Sequence, residues 1–198
     1  MKAQAVTKFL DEYEINSHTI AILPEYALEN TLVSRVLEMN NEFYVAQKPT
    51  DIVKKSCTYF GSSFKGRTEG TKALIGVTHK SPIAISASKN LFFFPTTSAT
   101  RKECAWISHV HVKHCVYTPK QYTRVTFINS QCIELDLSLG SFENQLFRTG
   151  QLRAAFHDRQ SAPLLREFNM VKEDELGDYL KRKKKASSTF EEEDEGEK

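Results

Sequence analysis

No uninterrupted apolar run in this chain is longer than one strand. Among the longest, at four residues, are Ile20-Ala21-Ile22-Leu23 and Leu91-Phe92-Phe93-Phe94. Neither reaches the roughly 20 residues that span a bilayer as a helix, so short buried strands are the main building material. Thirteen Phe, seven Tyr and a hydrophobic content of 40% supply enough apolar surface for a globular core, and 198 residues suffice for one core but are short for two. Met1 to Glu14 carries acids and no apolar stretch, so no secretory signal is expected. The four cysteines, Cys57, Cys104, Cys115 and Cys132, show no C-x-x-C spacing and read as free, mostly buried thiols of a cytoplasmic protein.

The apolar runs recur between turn residues. Ile15, Ile20 and Ile22 lead to Pro24, read as a strand stop. Leu32 to Glu38 and Glu42 to Gln47 read as strands joined around Asn40-Asn41. Ala73 to Val77, Pro82 to Ser86 and Leu91 to Phe94 are strand-like. Ala105 to Val112 is the clearest strand, with Trp106, Ser108, Val110 and Val112 on one side and Ile107, His109 and His111 on the other. Arg124 to Ile128 and Cys132 to Leu137 form a hairpin around Asn129-Ser130-Gln131. Thr50-Asp51 caps a short helix through Thr58 that groups Ile52, Val53 and Cys57. Ser141 caps a longer one through Arg159, with Phe142, Leu146, Thr149, Leu152 and Phe156 at helical spacing. The expectation is an α+β fold: a β-rich single domain over 13–171, mainly antiparallel, with helices at the C-terminal end. Around it stand an N-terminal arm over 1–12, a basic helix over 172–185 and a disordered acidic tail over 186–198.

Charge is distributed unevenly along this frame. Between Lys48 and Arg124 stand 13 Lys and Arg against Asp51, Glu69 and Glu103, while residues 1–47 are net −4 and residues 191–198 net −5. The total of +2 therefore hides a concentrated positive field, suited to a polyanion with repeated phosphates. Within it, residues 61–72 hold Gly61, Gly66 and Gly70 among Lys65, Arg67 and Lys72, and three glycines in ten residues predict a loop. Residues 95–102 combine four hydroxyls with Arg101 and Lys102 in a second loop between strands. The acidic tail could fold back on basic surface and weaken nucleic-acid binding at low salt, which deletion of 187–198 tests.

Other chemistries fit less well. Gly61-x-x-x-x-Gly66-Arg67-Thr68 has Arg where a nucleotide-binding loop needs Lys, no buried strand precedes it, and Gly70 is expected to break the following helix. Gly61-Ser62-Ser63-Phe64-Lys65 has Lys in place of the second glycine of a nucleophile elbow. His109, His111 and His114 beside Cys104 and Cys115 match no common zinc spacing. The reading is a non-enzyme without cofactor or metal.

Four strings decide between the remaining classes: Phe60-Gly61-Ser62-Ser63-x-x-Gly66-Arg67-x-x-Gly70-Thr71, Phe94-Pro95-Thr96-x-Ser98-x-Thr100-Arg101, Trp106 to Lys113, and Ser141-Phe142-Glu143-Asn144-Gln145. With a weaker match from Tyr13 to Pro24, they resemble the competence transcription factor family, ComK, in order over about 13–159. The resemblance implies a bacterial activator that binds A/T-rich double-stranded DNA boxes, chiefly through the minor groove, self-associates on paired boxes, and is turned over through a protease adaptor. RNA polymerase is a further partner, and a nucleoid-associated cytoplasmic location follows. A minor groove with enhanced negative potential attracts Arg and Lys on loops without a recognition helix. The DNA-binding candidates are Lys65, Arg67, Lys72, Arg101 and Lys102, with Lys54, Lys55 and Lys113 as outer phosphate contacts and Phe64, at the loop tip, as apolar wedge. Residues 141–156 are the candidate self-association segment, with a purely intramolecular core helix as the equal alternative. Around Phe168 and Met170 the chain resembles the family's adaptor-recognition segment only in part. The rivals are an RNA-binding module on the same surface and a family member that binds no DNA and sequesters an activator or its adaptor.

Overall fold

Alternation along the strands sorts the apolar residues onto two faces of one large sheet. The computed structural model describes residues 8–119 and 122–159. Its main sheet contains β1 (Lys8–Leu10), β2 (Thr19–Tyr26), β3 (Leu32–Glu38), β4 (Glu42–Val45), β5 (Ile83–Ser86), β6 (Leu91–Pro95) and β7 (Trp106–Ser108), in the order β1-β4-β3-β2-β7-β6-β5. All pairs are antiparallel except β1 with β4. A second antiparallel sheet holds β8 (Val112–Tyr117), β9 (Thr123–Phe127) and β10 (Cys132–Leu135) in the order β10-β9-β8.

On one face of the main sheet Ile22, Val36, Phe43, Phe93 and Trp106 pack with Ile52, Val53 and Cys57 of helix α1 (Pro49–Tyr59). The alternate residues Ala21, Leu23, Leu37, Phe94 and Ile107 point the other way, onto Val125, Phe127, Ile133 and Leu135 of the small sheet and Phe142 of helix α3 (139–159). Burial on both faces explains why the β6 run Leu91 to Phe94 is continuously apolar. The fold is thus α+β in three layers, with the main sheet in the middle.

The chain divides into two compact units, 1–155 and 156–198. Of the second only 156–159 are described, as the last residues of α3. The expected domain limit at 171, the basic helix, the acidic tail, Phe168 and Met170 lie outside the described residues.

Several local expectations are corrected. Residues 64–75 are not loop and strand but helix α2 (Phe64–Ile75). Ser63 supplies the reason: its Oγ accepts from the Gly66 N–H at 2.9 Å, capping the first turn, and Gly76 at φ +71 closes the last. Gly70 sits inside the helix with nothing within 4 Å of an added Cβ. Gly70→Ala is therefore expected to stabilise the fold by about 1 kcal/mol in urea unfolding. At Gly66 the added Cβ would stand 3.2 Å from the capping Ser63 Oγ, and Gly66→Ala should gain less or lose.

Pro24 does not end β2, which continues to Tyr26. Its partner β7 pairs only at Ala21 and Ile22, so at Pro24 no ladder bond is forfeited on that side. The clearest expected strand, 105–112, is broken by a 3₁₀ turn at His109–His111, where the chain leaves one sheet for the other. In the expected N-terminal arm, Lys8–Leu10 forms β1. Helix α1 begins at Pro49 after Lys48 rather than being capped by Thr50, and α3 begins at 139, with Ser138 rather than Ser141 capping through the Ser141 N–H at 3.3 Å. On α3, Phe142, Gln145, Thr149 and Leu152 are buried within the fold. Gln145 Nε2 donates to the carbonyls of Lys80 and Pro95, both at 2.8 Å.

Candidate nucleic-acid interface

Helix α1 turns Ile52, Val53, Ser56 and Cys57 to the core, which leaves Lys54, Lys55, Thr58 and Tyr59 as its outward stripe. Burial pushes the Cys57 thiol up to about 11 despite the neighbouring Arg67 charge, so this cysteine stays neutral. Lys54 pairs with Asp51 at 3.1 Å and Lys55 with Glu12 at 2.7 Å. All four side chains are exposed, so each pair is worth at most about 1 kcal/mol and either cation can turn to a phosphate instead.

The segment between β6 and β7 comes down beside the start of α1. It folds on its own hydroxyls: the Thr96 Oγ1 accepts from the Ala105 N–H at 3.1 Å, and Ser98 and Thr100 share a hydrogen bond of 2.9 Å. One α1 side chain pins it. The Thr50 hydroxyl donates to the Ala99 carbonyl at 3.1 Å while accepting from Trp106 Nε1 at 3.1 Å. Arg101 and Lys102 are thereby held across from Lys54, and the space between is an open groove of about 440 Å³. Leu32, Lys48, Thr100 and Phe64 also line it, with Asp51 as the lone carboxylate among the lining residues. A second hollow of about 490 Å³ shares Lys48, Asp51 and Lys54 with the first and extends the surface to Lys55. Five cations are so gathered beside hydroxyls, a chemistry that suits successive phosphates.

Of the remaining candidates Phe64 alone reaches the groove, and the others lie elsewhere. Phe64 is not at a loop tip: it opens α2, half-buried, edge-on to Trp106 at 6.0 Å. Lys65 is 86% exposed and 3.8 Å from Glu69. Arg67 turns inward, its Nη2 donating to the Phe60 carbonyl at the end of α1 at 3.3 Å. Lys72 is exposed in the last turn of α2, where a cation suits the helix dipole. Lys113 stands on β8, in the small sheet that packs against the other face of the main sheet, and is not part of the groove. A cleft of about 560 Å³ that Arg101 also borders contains Glu25, Glu103, Glu134 and Asp136, a poor surface for a polyanion.

The histidines do not share a strand face. His111 Nδ1 meets Ser108 Oγ at 2.8 Å, His114 is exposed on β8, and burial pushes both His109 and His111 below the usual imidazole range. The four cysteines are free; Cys57 and Cys104 are buried, Cys115 is half-buried, and Cys132 is exposed, which departs from the expected burial. The loop-like nucleotide signature is instead preceded by α1, and its Gly66-Arg67-Thr68 lies within α2.

The family model for the ComK protein matches residues 10–161. The chain belongs to the ComK family. It is 45% identical over 168 residues to the competence transcription factor of Bacillus subtilis (strain 168), an alignment covering 84% of this chain and 87% of that protein. No solved structure matches it. Two of the strings that resemble ComK, 60–71 and 94–101, fall on the α1–α2 turn with α2 and on the loop carrying Arg101, which border the groove. A third, beginning at Trp106, supplies the indole that fixes Thr50. Sequence reading missed Lys48 and Lys89. Lys48 was legible as the residue before Pro49, the favoured first position of a helix; Lys89 becomes visible only through its position 5.2 Å above the Phe60 ring.

Proposed function

We propose that this ComK-family protein is a transcription activator of competence that binds A/T-rich double-stranded DNA, chiefly through the minor groove. The observation that carries the reading is the groove joining Lys48 and Lys54 to Arg101 and Lys102 across the Thr50–Ala99 hydrogen bond. Arg101, exposed on a short anchored loop, is the residue suited to enter a narrow, electronegative minor groove. Lys48, Lys54, Lys55 and Lys102 track the backbone on either side. Lys65 and Lys72 extend the positive field along α2, and Arg67 supports the junction from beneath. Self-association on paired boxes belongs to the same proposal; its candidate segment, 141–156, exposes Phe147 by 66%. Adaptor recognition through Phe168 and Met170, contact with RNA polymerase and a cytoplasmic, nucleoid-associated location rest on family membership. Among the described residues no helix is long and apolar enough to cross a membrane.

Titration of a duplex carrying two A/T boxes, beside a G·C-substituted control and a matched RNA, across a salt series, tests the reading. Selective duplex binding that falls steeply with salt is the expected result. Salt-sensitive binding without preference, or preference for RNA, would reassign the surface. Absence of binding at low salt would favour a sequestering role.

A further inference from the structure

The groove does not exhaust the outward face of α1. The stripe of Lys54, Lys55 and Thr58 ends at Tyr59, whose side chain is 62% exposed. Among the exposed large apolar residues, Tyr59 is the one that belongs to this cationic helix: Phe9 lies on β1, Tyr26 ends β2, Tyr117 ends β8, and Phe147 lies on α3. Tyr59 is four residues after Lys55 and therefore beside it on the helix surface. It is also braced. The Phe60 ring meets it at 5.0 Å and 88°, edge to face, and Lys89 Nζ stands 5.2 Å from the Phe60 centroid. The Phe60 carbonyl is held in turn by Arg67, and the chain turns away at Gly61, φ +74. A solvated tyrosine held in place by its neighbouring ring, one helical turn from Lys55, loses little freedom when a flat apolar partner covers it.

We propose that Tyr59 is a nucleic-acid contact in its own right, its ring covering an unstacked base at the far end of the phosphate-binding stripe. The 11 residues of α1 span about 16 Å, close to five base-pair steps of duplex. Lys48, Lys54 and Lys102 then follow the backbone beside the first half of the helix while Arg101 enters the minor groove, and Tyr59 meets the duplex where the helix ends. Tyr59 then takes the apolar role that the half-buried Phe64 cannot fill without leaving Trp106. This inference rests on the DNA reading above and adds a ring contact to it.

The test compares full-length wild type with Tyr59→Ala and Tyr59→Phe on the two-box A/T duplex across a salt series, with 2-aminopurine placed within the boxes as a stacking probe. Tyr59→Ala is expected to bind roughly tenfold more weakly with an unchanged salt slope, because the ring holds no phosphate, and to lose the 2-aminopurine response. Tyr59→Phe should keep affinity and response, since the ring face rather than the hydroxyl makes the contact. Tyr59→Ala binding like wild type, while wild type binds the duplex, would overturn this inference and leave the DNA reading standing. Wild type that binds no duplex would overturn both. A changed slope for Tyr59→Ala would mean that the residue acts only by positioning Lys55, which also overturns the ring contact. Thermal unfolding within a degree or two of wild type checks that the exposed substitution leaves the fold intact.

Discussion

The triple variant Lys54→Ala, Arg101→Ala, Lys102→Ala is expected to bind the A/T duplex about a hundredfold more weakly than wild type near 0.15 M salt. The magnitude follows from counterion release. Each phosphate charge neutralised, whether by a cation on the backbone or by one in the groove, contributes about 0.9 to the slope of log K against log salt, so three lost cations flatten it by nearly 3 and cost about two decades relative to a 1 M reference. The fold should not suffer, since all three residues are exposed and the Lys54–Asp51 pair is a surface pair. Within the set Arg101 should behave differently. Arg101→Lys keeps the charge and hence the slope, but loses the weakly hydrated planar guanidinium that favours a narrow minor groove, so selectivity over the G·C control should fall. Lys113→Ala, on the small sheet, provides the comparison and should change affinity less than any member of the triple. A triple variant that retains the wild-type salt slope would move the DNA surface away from this groove.

Local patterning and long-range pairing account for what could and could not be read from the residues. Alternation gave β3 and β4, the β9–β10 hairpin and the buried stripe of α1, because each depends on neighbours a few residues apart. Helix α2 was misread because glycine content outweighed its caps. Ser63, Gly76 and the spacing of Phe64, Arg67, Thr71 and Leu74 were the available signals. The break at His109 was not legible: the alternation runs on through it, and only the change of partner from β2 and β6 to β9 shows where one strand becomes two. The groove followed the same division. The charge excess marked Lys54, Arg101 and Lys102, but Arg101 lies 47 positions after Lys54, and their meeting depends on Thr50 reaching Ala99. Lys113 was grouped with them on charge alone, although its strand belongs to the other sheet.

Trp106→Ala is expected to be the most destabilising single substitution that also bears on the groove. Trp106 is fully buried in β7, which lies between β2 and β6, and its truncation removes the largest side chain at the centre of the main sheet. Large-to-small changes of this kind cost about 3–5 kcal/mol, a substantial part of the roughly 5–15 kcal/mol that stabilises most domains. For a domain of this size the melting temperature should fall by roughly 10–15 °C. Circular dichroism is the appropriate measurement, because the variant lacks the chain's single tryptophan. Two neighbours transmit the loss: Phe64 at the mouth of the groove loses its ring partner, and the Thr50 hydroxyl loses its donor. Trp106→Phe separates these effects. The ring contact with Phe64 is largely kept, so destabilisation should be about 1–2 kcal/mol, while the indole N–H that orients Thr50 is gone. If that hydrogen bond fixes the loop bearing Arg101 and Lys102, Trp106→Phe should weaken duplex binding at temperatures where it is fully folded. Unchanged affinity there would mean that the Ala99 carbonyl alone holds Thr50, and that the indole serves the core rather than the interface.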